Sequence, residues 1–284
     1  MRRASSALGA LGLLLLALTF WPLPDLAAGG LVSRSSRPLT RAKPTTCADI
    51  TFEGQGVRLA GWRCAPTAQR RGAIVYLHGI ADNRSGADAV VRRFGPKGFE
   101  VIAYDSRAHG TSEGALCTYG VLERHDLRRV IATIAKGPII LIGGSLGAAV
   151  ALQTAAIEPR VSGVIAAEAF TDLRTVATER GRRLWLPPWT IRRAFPIAER
   201  RAGFRIDDAS PLAAAAHIHV PTLLLHGADD DETSPAHSRR LATALSGRAQ
   251  IVLVPGAGHS QTLTAPGVWD RIEQWVLAVL DAEG

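Results

Sequence analysis

Short apolar runs constrain this chain more than any other feature. Residues 73–77, 101–104, 139–142, 164–167, 222–225 and 251–254 are each apolar almost throughout and fenced by Gly, Pro, Asp or His. Strand-length runs with no polar face fit strands covered on both sides, as in a parallel sheet. Between them lie stretches of helical length: 84–94, 121–135, 146–157, 236–245 and 268–280. The alternation predicts repeated βαβ units, hence an α/β sheet with helices on both faces. Residues 57–63 instead alternate in the two-residue manner and follow 50–53. That pair predicts an antiparallel hairpin at the sheet edge. One connection, 172–208, is too long for a simple crossover and carries Arg182, Arg183, Trp185, Trp189, Arg192, Arg193 and Phe195. It reads as a small lid over a site, or as a surface excursion whose aromatic residues pack on the body.

The N-terminal region is different in kind. Arg2 and Arg3 precede an apolar run, 7–21, which Pro22, Pro24 and Asp25 break. The run is short for a bilayer span of about 20 residues and suits the core of a signal peptide. Small residues at Ala27, Ala28 and Gly29 offer a cleavage point, while Arg34, Arg37, Arg41 and Lys43 beyond them resist export. Residues 1–29 are therefore expected to be a signal peptide or an N-terminal membrane anchor. Residues 30–47 are expected to be a flexible basic linker, and 48–284 the folded domain. Either reading places the domain outside the cytoplasm or at a membrane.

Composition narrows the function. At 284 residues, with 47% hydrophobic and 20% charged, the chain is neither disordered nor a disulfide-stapled mini-protein. Its net charge of +8 raises nucleic-acid binding. No basic helix with interleaved aromatics, zinc-finger spacing or RNA-recognition motif supports it. Surface basicity or attraction to anionic lipid is the better reading. Cys47, Cys64 and Cys117 are too scattered for structural zinc. One pair could close in an oxidising compartment, or all could remain buried thiols.

The chemistry is concentrated in three places. Gly143-Gly144-Ser145-Leu146-Gly147 is a G-x-S-x-G, a weak signal alone but here set between a predicted strand and helix. A serine at such a turn is pushed out of the fold and lies at a helix N-terminus, where N–H groups favour negative charge. A serine hydroxyl needs a base, and a histidine base needs a carboxylate to hold it. The strand at 222–225 runs into His226-Gly227-Ala228-Asp229-Asp230-Asp231, and the strand at 251–254 runs through a Gly-rich loop to His259. Ser145, an aspartate near 230, and His259 follow the chain order Ser…Asp…His, with both partners leaving strand C-termini.

These motifs resemble those of the α/β-hydrolase superfamily, in particular compact serine hydrolases related to the serine aminopeptidase and prolyl-oligopeptidase catalytic domains. The resemblance extends over 48–284. It includes Leu77-His78-Gly79-Ile80 before the oxyanion loop and Asp105-Ser106-Arg107-Ala108-His109-Gly110-Thr111-Ser112, where alanine at 108 replaces the usual glycine. It implies an α/β-hydrolase fold with a mostly parallel, roughly eight-stranded sheet and a short lid. Pro235 after the acidic turn selects Asp230 as the acid, with Asp231 and Asp229 as alternatives. The implied oxyanion donors are the backbone N–H groups of Leu146 and Ile80, with Ala81 as substitute for the second.

The expected activity is hydrolysis of a small-molecule acyl substrate, an ester first, with thioester or short-peptide amide bonds as rivals and no cofactor or metal. A perhydrolytic haloperoxidase would use the same triad. A non-catalytic scaffold of the same fold at the cell envelope is the alternative of another class. The remaining histidines have bland readings. His78 and His226 would satisfy loop carbonyls, His109 would bond within its loop, and His125 would lie with Glu123 and Asp126 on a solvated helix face. His217 and His219 lack a third ligand for a metal. Glu168 would pair with an arginine or line the pocket floor.

Overall fold

A computed structural model describes residues 22–33 and 37–283. The apolar run at 7–21, which carries the targeting expectation, lies outside the described residues.

The sheet has eight strands in the order β1-β2-β4-β3-β5-β6-β7-β8. They are β1 (Cys47–Glu53), β2 (Arg58–Cys64), β3 (Gly72–Leu77), β4 (Phe99–Tyr104), β5 (Ile139–Gly144), β6 (Val161–Ala167), β7 (Thr222–Gly227) and β8 (Ala249–Val254). The pairs β1/β2 and β2/β4 are antiparallel, and every other pairing is parallel. The edge hairpin and the parallel body are those expected from the two hydrophobic periodicities. Successive residues of the central strands serve opposite cores. Ala73, Val75 and Leu77 join one apolar cluster, and Ile74 and Tyr76 the other. This is why these strands show no polar face.

The described helices are α1 (Leu23–Val32), α2 (Asp88–Phe94), α3 (Glu123–Ala132), α4 (Leu146–Ala155), α5 (Leu173–Arg183), α6 (Pro188–Ala202), α7 (Pro211–Ala215), α8 (Ala236–Ala244) and α9 (Val268–Glu283). Helices α3, α4 and α8 bury Leu127, Val130, Leu152 and Leu241 on one face of the sheet. Helices α2 and α9 bury Phe94, Ile272 and Val276 on the other.

Two expectations are corrected by packing that leaves no periodic trace. First, the linker does not begin at residue 30. Helix α1 buries Ala28 and Val32 completely. Arg201 of α6 holds the Asp25 carbonyl and carboxylate at 2.9 and 2.8 Å. The Tyr119 hydroxyl donates to Leu31 O (2.8 Å), the Cys117 N–H to Val32 O (2.8 Å), and Ser33 bridges to Leu116. Ala27, Ala28 and Gly29 thus lie within a docked helix, and among the described residues the exposed extended stretch is 37–43. Second, Glu123 and Asp126 are buried rather than solvated. Asp126 takes the Arg107 guanidinium at 2.7 and 2.8 Å, and Glu123 accepts from the Thr118 and Gly120 N–H groups. Of the two readings left open for the cysteines, the structure takes the first: Cys47 and Cys64, directly opposite in the hairpin, form a disulfide, and Cys117 stays buried and free.

Candidate active site

Ser145 lies between β5 and α4 with φ 49° and ψ −110°, a left-handed conformation that a non-glycine residue adopts only under constraint. The constraint is visible. Its N–H donates to Ala167 O at 2.8 Å, across to the end of β6. The flanking glycines let helix and strand meet. A Cβ on Gly143 would lie 2.4 Å from the Gly147 carbonyl, and one on Gly147 would lie 2.1 Å from Leu77 O. Leu146 is the first residue of α4, so its N–H has no acceptor within the helix. The turn after β3 runs beside the serine: a Cβ on Gly79 would sit 3.8 Å from Ser145 Cβ. Among the described residues the Ile80 N–H makes no backbone hydrogen bond.

His78 braces that turn. Its Nε2 accepts the Ser106 N–H (2.9 Å), which leaves the proton on Nδ1 for Gly79 O (2.7 Å). Burial, aided by neighbouring His109, pushes its pKa down to about 4, so it stays neutral. Asp105 ties the same region together through the N–H groups of Arg84 (2.8 Å) and Thr111 (2.9 Å) and through the Arg84 guanidinium. Ala108 adopts the left-handed conformation that favours glycine, with φ 61°.

The three aspartates after β7 separate cleanly. Asp229 is exposed and Asp231 pairs with Arg183 at 2.5 Å. Asp230 is 4% exposed; its Oδ1 accepts the Glu232 and Thr233 N–H groups at 3.0 and 2.9 Å, and its Oδ2 meets His259 Nδ1 at 2.8 Å. Burial works to raise the Asp230 pKa, yet hydrogen bonds from His226, His259 and Thr233 prevail and hold it well below the usual carboxylate range. His226 itself shares its Nε2 proton between Thr233 O (2.7 Å) and Asp230 Oδ2 (3.3 Å) and accepts the Ser238 hydroxyl at Nδ1 (2.7 Å), so it braces the acidic turn. Burial opposes protonation of His259, but the Asp230 carboxylate and, more weakly, Glu168 raise its pKa above the ordinary histidine value.

Two neighbours of the site make contacts that the sequence reading did not give them. Glu168 pairs with no arginine among the described residues. Its Oε2 accepts the Ser260 N–H at 2.8 Å and its Oε1 the Thr262 N–H at 3.0 Å, so it clamps the loop that presents His259. It is 3% exposed and held at φ 55°. Together with Ala81, Ser145 and Ser260 it places strained backbone around one rim. The other neighbour is Arg180, on α5 of the 172–208 excursion. Its Nη2 lies 3.2 Å from Thr233 Oγ1 and 3.4 Å from His259 Nε2. Nε2 therefore faces Arg180, and no hydrogen bond joins it to Ser145 Oγ. No sequence signal distinguishes Arg180 from the other arginines of this basic segment.

The rim is laced into one unit. Glu168 N–H donates to Leu225 O (2.8 Å), Ala228 N–H to Val254 O (2.8 Å) and Asp229 N–H to Ala257 O (3.0 Å). The C-terminal ends of β5, β6, β7 and β8 thus carry a serine at a helix N-terminus and an aspartate-bound imidazole, with the turn after β3, which bears the Ile80 N–H, beside the serine. Such groups can generate an alkoxide-like nucleophile and stabilise an oxyanion.

Comparison with known proteins agrees with this geometry. The family model for the alpha/beta hydrolase family matches residues 74–270. YqkD of Bacillus subtilis, an uncharacterized protein, is 28% identical over 221 residues, covering 74% of this chain and 71% of its own. The monoacylglycerol lipase of Mycolicibacterium smegmatis is 25% identical over 279 residues, covering 83% of this chain and 99% of its own. Among solved structures, the Pyrococcus furiosus esterase Pf2001 superposes with a TM-score of 0.67 at 21% identity, over 88% of this chain and 98% of that one.

Proposed function

The chain belongs to the alpha/beta hydrolase family, and from that premise we propose that it is a serine hydrolase cleaving a carboxylic ester through an acyl-enzyme on Ser145. The observation that carries this reading is the 2.8 Å bond between His259 Nδ1 and Asp230 Oδ2. It fixes the tautomer whose lone pair is on Nε2, the atom that must take the serine proton.

Ser145 Oγ attacks the ester carbonyl as its proton passes to His259 Nε2. The Leu146 and Ile80 N–H groups receive the developing oxyanion, each such donor being worth about 10²–10³ in turnover. The imidazolium then protonates the departing alkoxide. Water, deprotonated by the same nitrogen, releases the acid and restores Ser145. For this sequence Nε2 must exchange Arg180 for Ser145 Oγ, a tightening that accompanies substrate binding in many hydrolases. The preference for an ester is supported by the lipase among the relatives. Thioester and amide substrates would use the same atoms.

The test is hydrolysis of p-nitrophenyl esters of graded chain length beside acyl thioesters and aminoacyl arylamides. Esters are expected to give the highest kcat/KM, and Ser145→Ala to lower turnover by about 10⁶. Purified Ser145→Ala protein retaining more than a few per cent of activity would overturn the assignment.

The Cys47–Cys64 disulfide supports an exported or membrane-anchored location, since such bonds persist in oxidising compartments. Thiol alkylation of protein recovered from its native host should modify Cys47 and Cys64 only after reduction. Ready modification without reductant would argue for the cytoplasm.

A further inference from the structure

Arg180 sits beside the reacting nitrogen, yet nothing in the ester chemistry above requires a cation there. Among the described residues it makes no ion pair. The neighbouring carboxylates are committed elsewhere. Glu179 takes His237 Nε2 at 2.8 Å, Asp231 takes Arg183 at 2.5 Å, Asp230 takes His259, and Glu168 takes the Ser260 and Thr262 N–H groups. The Arg180 Nε is itself buried without a hydrogen-bond partner. What Nη2 does contact carries no negative charge: a threonine hydroxyl and the imidazole Nε2. A half-buried guanidinium with an unmade N–H bond is a costly arrangement, and its planar donor fork matches a carboxylate or phosphate.

Three ion pairs of neighbouring residues fasten the helix that carries this side chain. The α5 helix that carries it is pinned at Glu179 to His237, at Arg183 to Asp231, and at Arg174 to Asp207. The guanidinium therefore does not hang from a loose loop. The direction of approach also matters. His259 Nε2 is the atom that hands its proton to the departing oxygen, so a group beside it lies next to the alcohol half of an ester rather than deep in the acyl pocket.

We propose that Arg180 is the specificity-determining residue of this site, binding an anionic group, carboxylate or phosphate, on the alcohol portion of the ester. Capture of that anion draws the guanidinium off Nε2 and leaves the lone pair open to Ser145 Oγ. The preferred substrates are then anionic esters, and the resting enzyme keeps its base covered until one arrives. The identity of the bond cut rests on the hydrolase reading given above; the anion binding does not.

The test separates the two. In the Ser145→Ala protein, which needs no turnover, binding is measured by calorimetry for 4-(butanoyloxy)butanoate against its primary amide, and for 1-butanoylglycerol 3-phosphate against 1-butanoylglycerol. At least one anionic member should bind about 10–100-fold tighter than its neutral partner, the value of one or two charge-assisted hydrogen bonds. Adding Arg180→Gln should bring the ratio close to one, and Arg180→Lys should restore part of it. The carboxylate and phosphate pairs tell the two anions apart. Hydrolysis by the enzyme with Ser145 intact should show the same selectivity in kcat/KM, and Arg180→Gln should lower that ratio by a similar factor. Equal binding of charged and neutral partners overturns the proposal. So does a preference that survives Arg180→Gln, or one confined to an acyl-side anion such as mono-p-nitrophenyl succinate compared with p-nitrophenyl butanoate. Retained anion selectivity in binding with no hydrolysis of any ester would instead strike the hydrolase reading and leave the anion site standing.

Discussion

Replacing Glu168 with glutamine tests how the histidine loop is held. The carboxylate accepts two backbone N–H groups, from Ser260 and Thr262, with both oxygens used. Glutamine keeps one acceptor and turns an NH₂ toward the other N–H, so one charge-assisted bond is lost and a buried donor is left unmatched. Such a loss costs about 2 kcal/mol, and in a domain of this size about 2–4 °C of Tm per kcal/mol. A fall of roughly 4–8 °C follows from those values. Kinetically the loop carrying His259 should loosen, and a displacement near 1 Å costs about 10² in rate. The charge change has its own sign. The Glu168 carboxylate helps raise the pKa of His259. Without that charge the imidazole stays neutral to lower pH, so the acid limb of kcat/KM moves down. The assay is a pH–rate profile of p-nitrophenyl acetate hydrolysis from pH 5 to 9 with a thermal melt alongside. An unchanged Tm and an unmoved acid limb would refute the clamp.

Other perturbations have equally definite outcomes. The wild-type profile should rise with a pKa above the ordinary histidine value of about 6.5, because Asp230 outweighs burial at His259; a flat profile contradicts His259 as base. Asp230→Asn removes the dominant raising charge and leaves burial unopposed, so the limb should shift below about 6.5 while turnover falls about 10⁴-fold, readable in the same assay. Reducing Cys47–Cys64, which closes a loop with a sequence separation of 17, should destabilise the fold by about 3 kcal/mol in denaturant titration. Gly147→Ala puts a methyl 2.1 Å from Leu77 O; it should yield little folded protein, whereas Gly30→Ala, with open space around its Cβ, should fold normally.

The parts of this protein legible in its sequence are those with a local periodic or motif signature. Runs such as 139–142 announce a strand covered on both faces, and G-x-S-x-G between strand and helix announces the elbow at Ser145. The acidic turn offered three aspartates; geometry separates them because only Asp230 is drawn inward by the Glu232 and Thr233 N–H groups. What escaped were partnerships with groups far along the chain. Glu168 meets backbone N–H groups 92 and 94 residues away, and Arg180 meets His259 across 79. The Leu23–Val32 helix escaped for a related reason. Its proline-bearing start and small residues read as a break and a cleavage point, and docking on α6 and on the 116–119 segment makes it a helix worth forming. Glu123 and Asp126 look solvated on a helical wheel because their burial comes from the 107–120 loops folded over them.

The central claim is a covalent intermediate on Ser145, and the most direct measurement is mass spectrometry of the protein quenched in acid within the first turnover of p-nitrophenyl acetate. One acetyl group per chain, located on the peptide containing Ser145 and absent from Ser145→Ala, is the predicted result. Steady hydrolysis with no modified serine, or an acetyl group carried on any other residue, would contradict it.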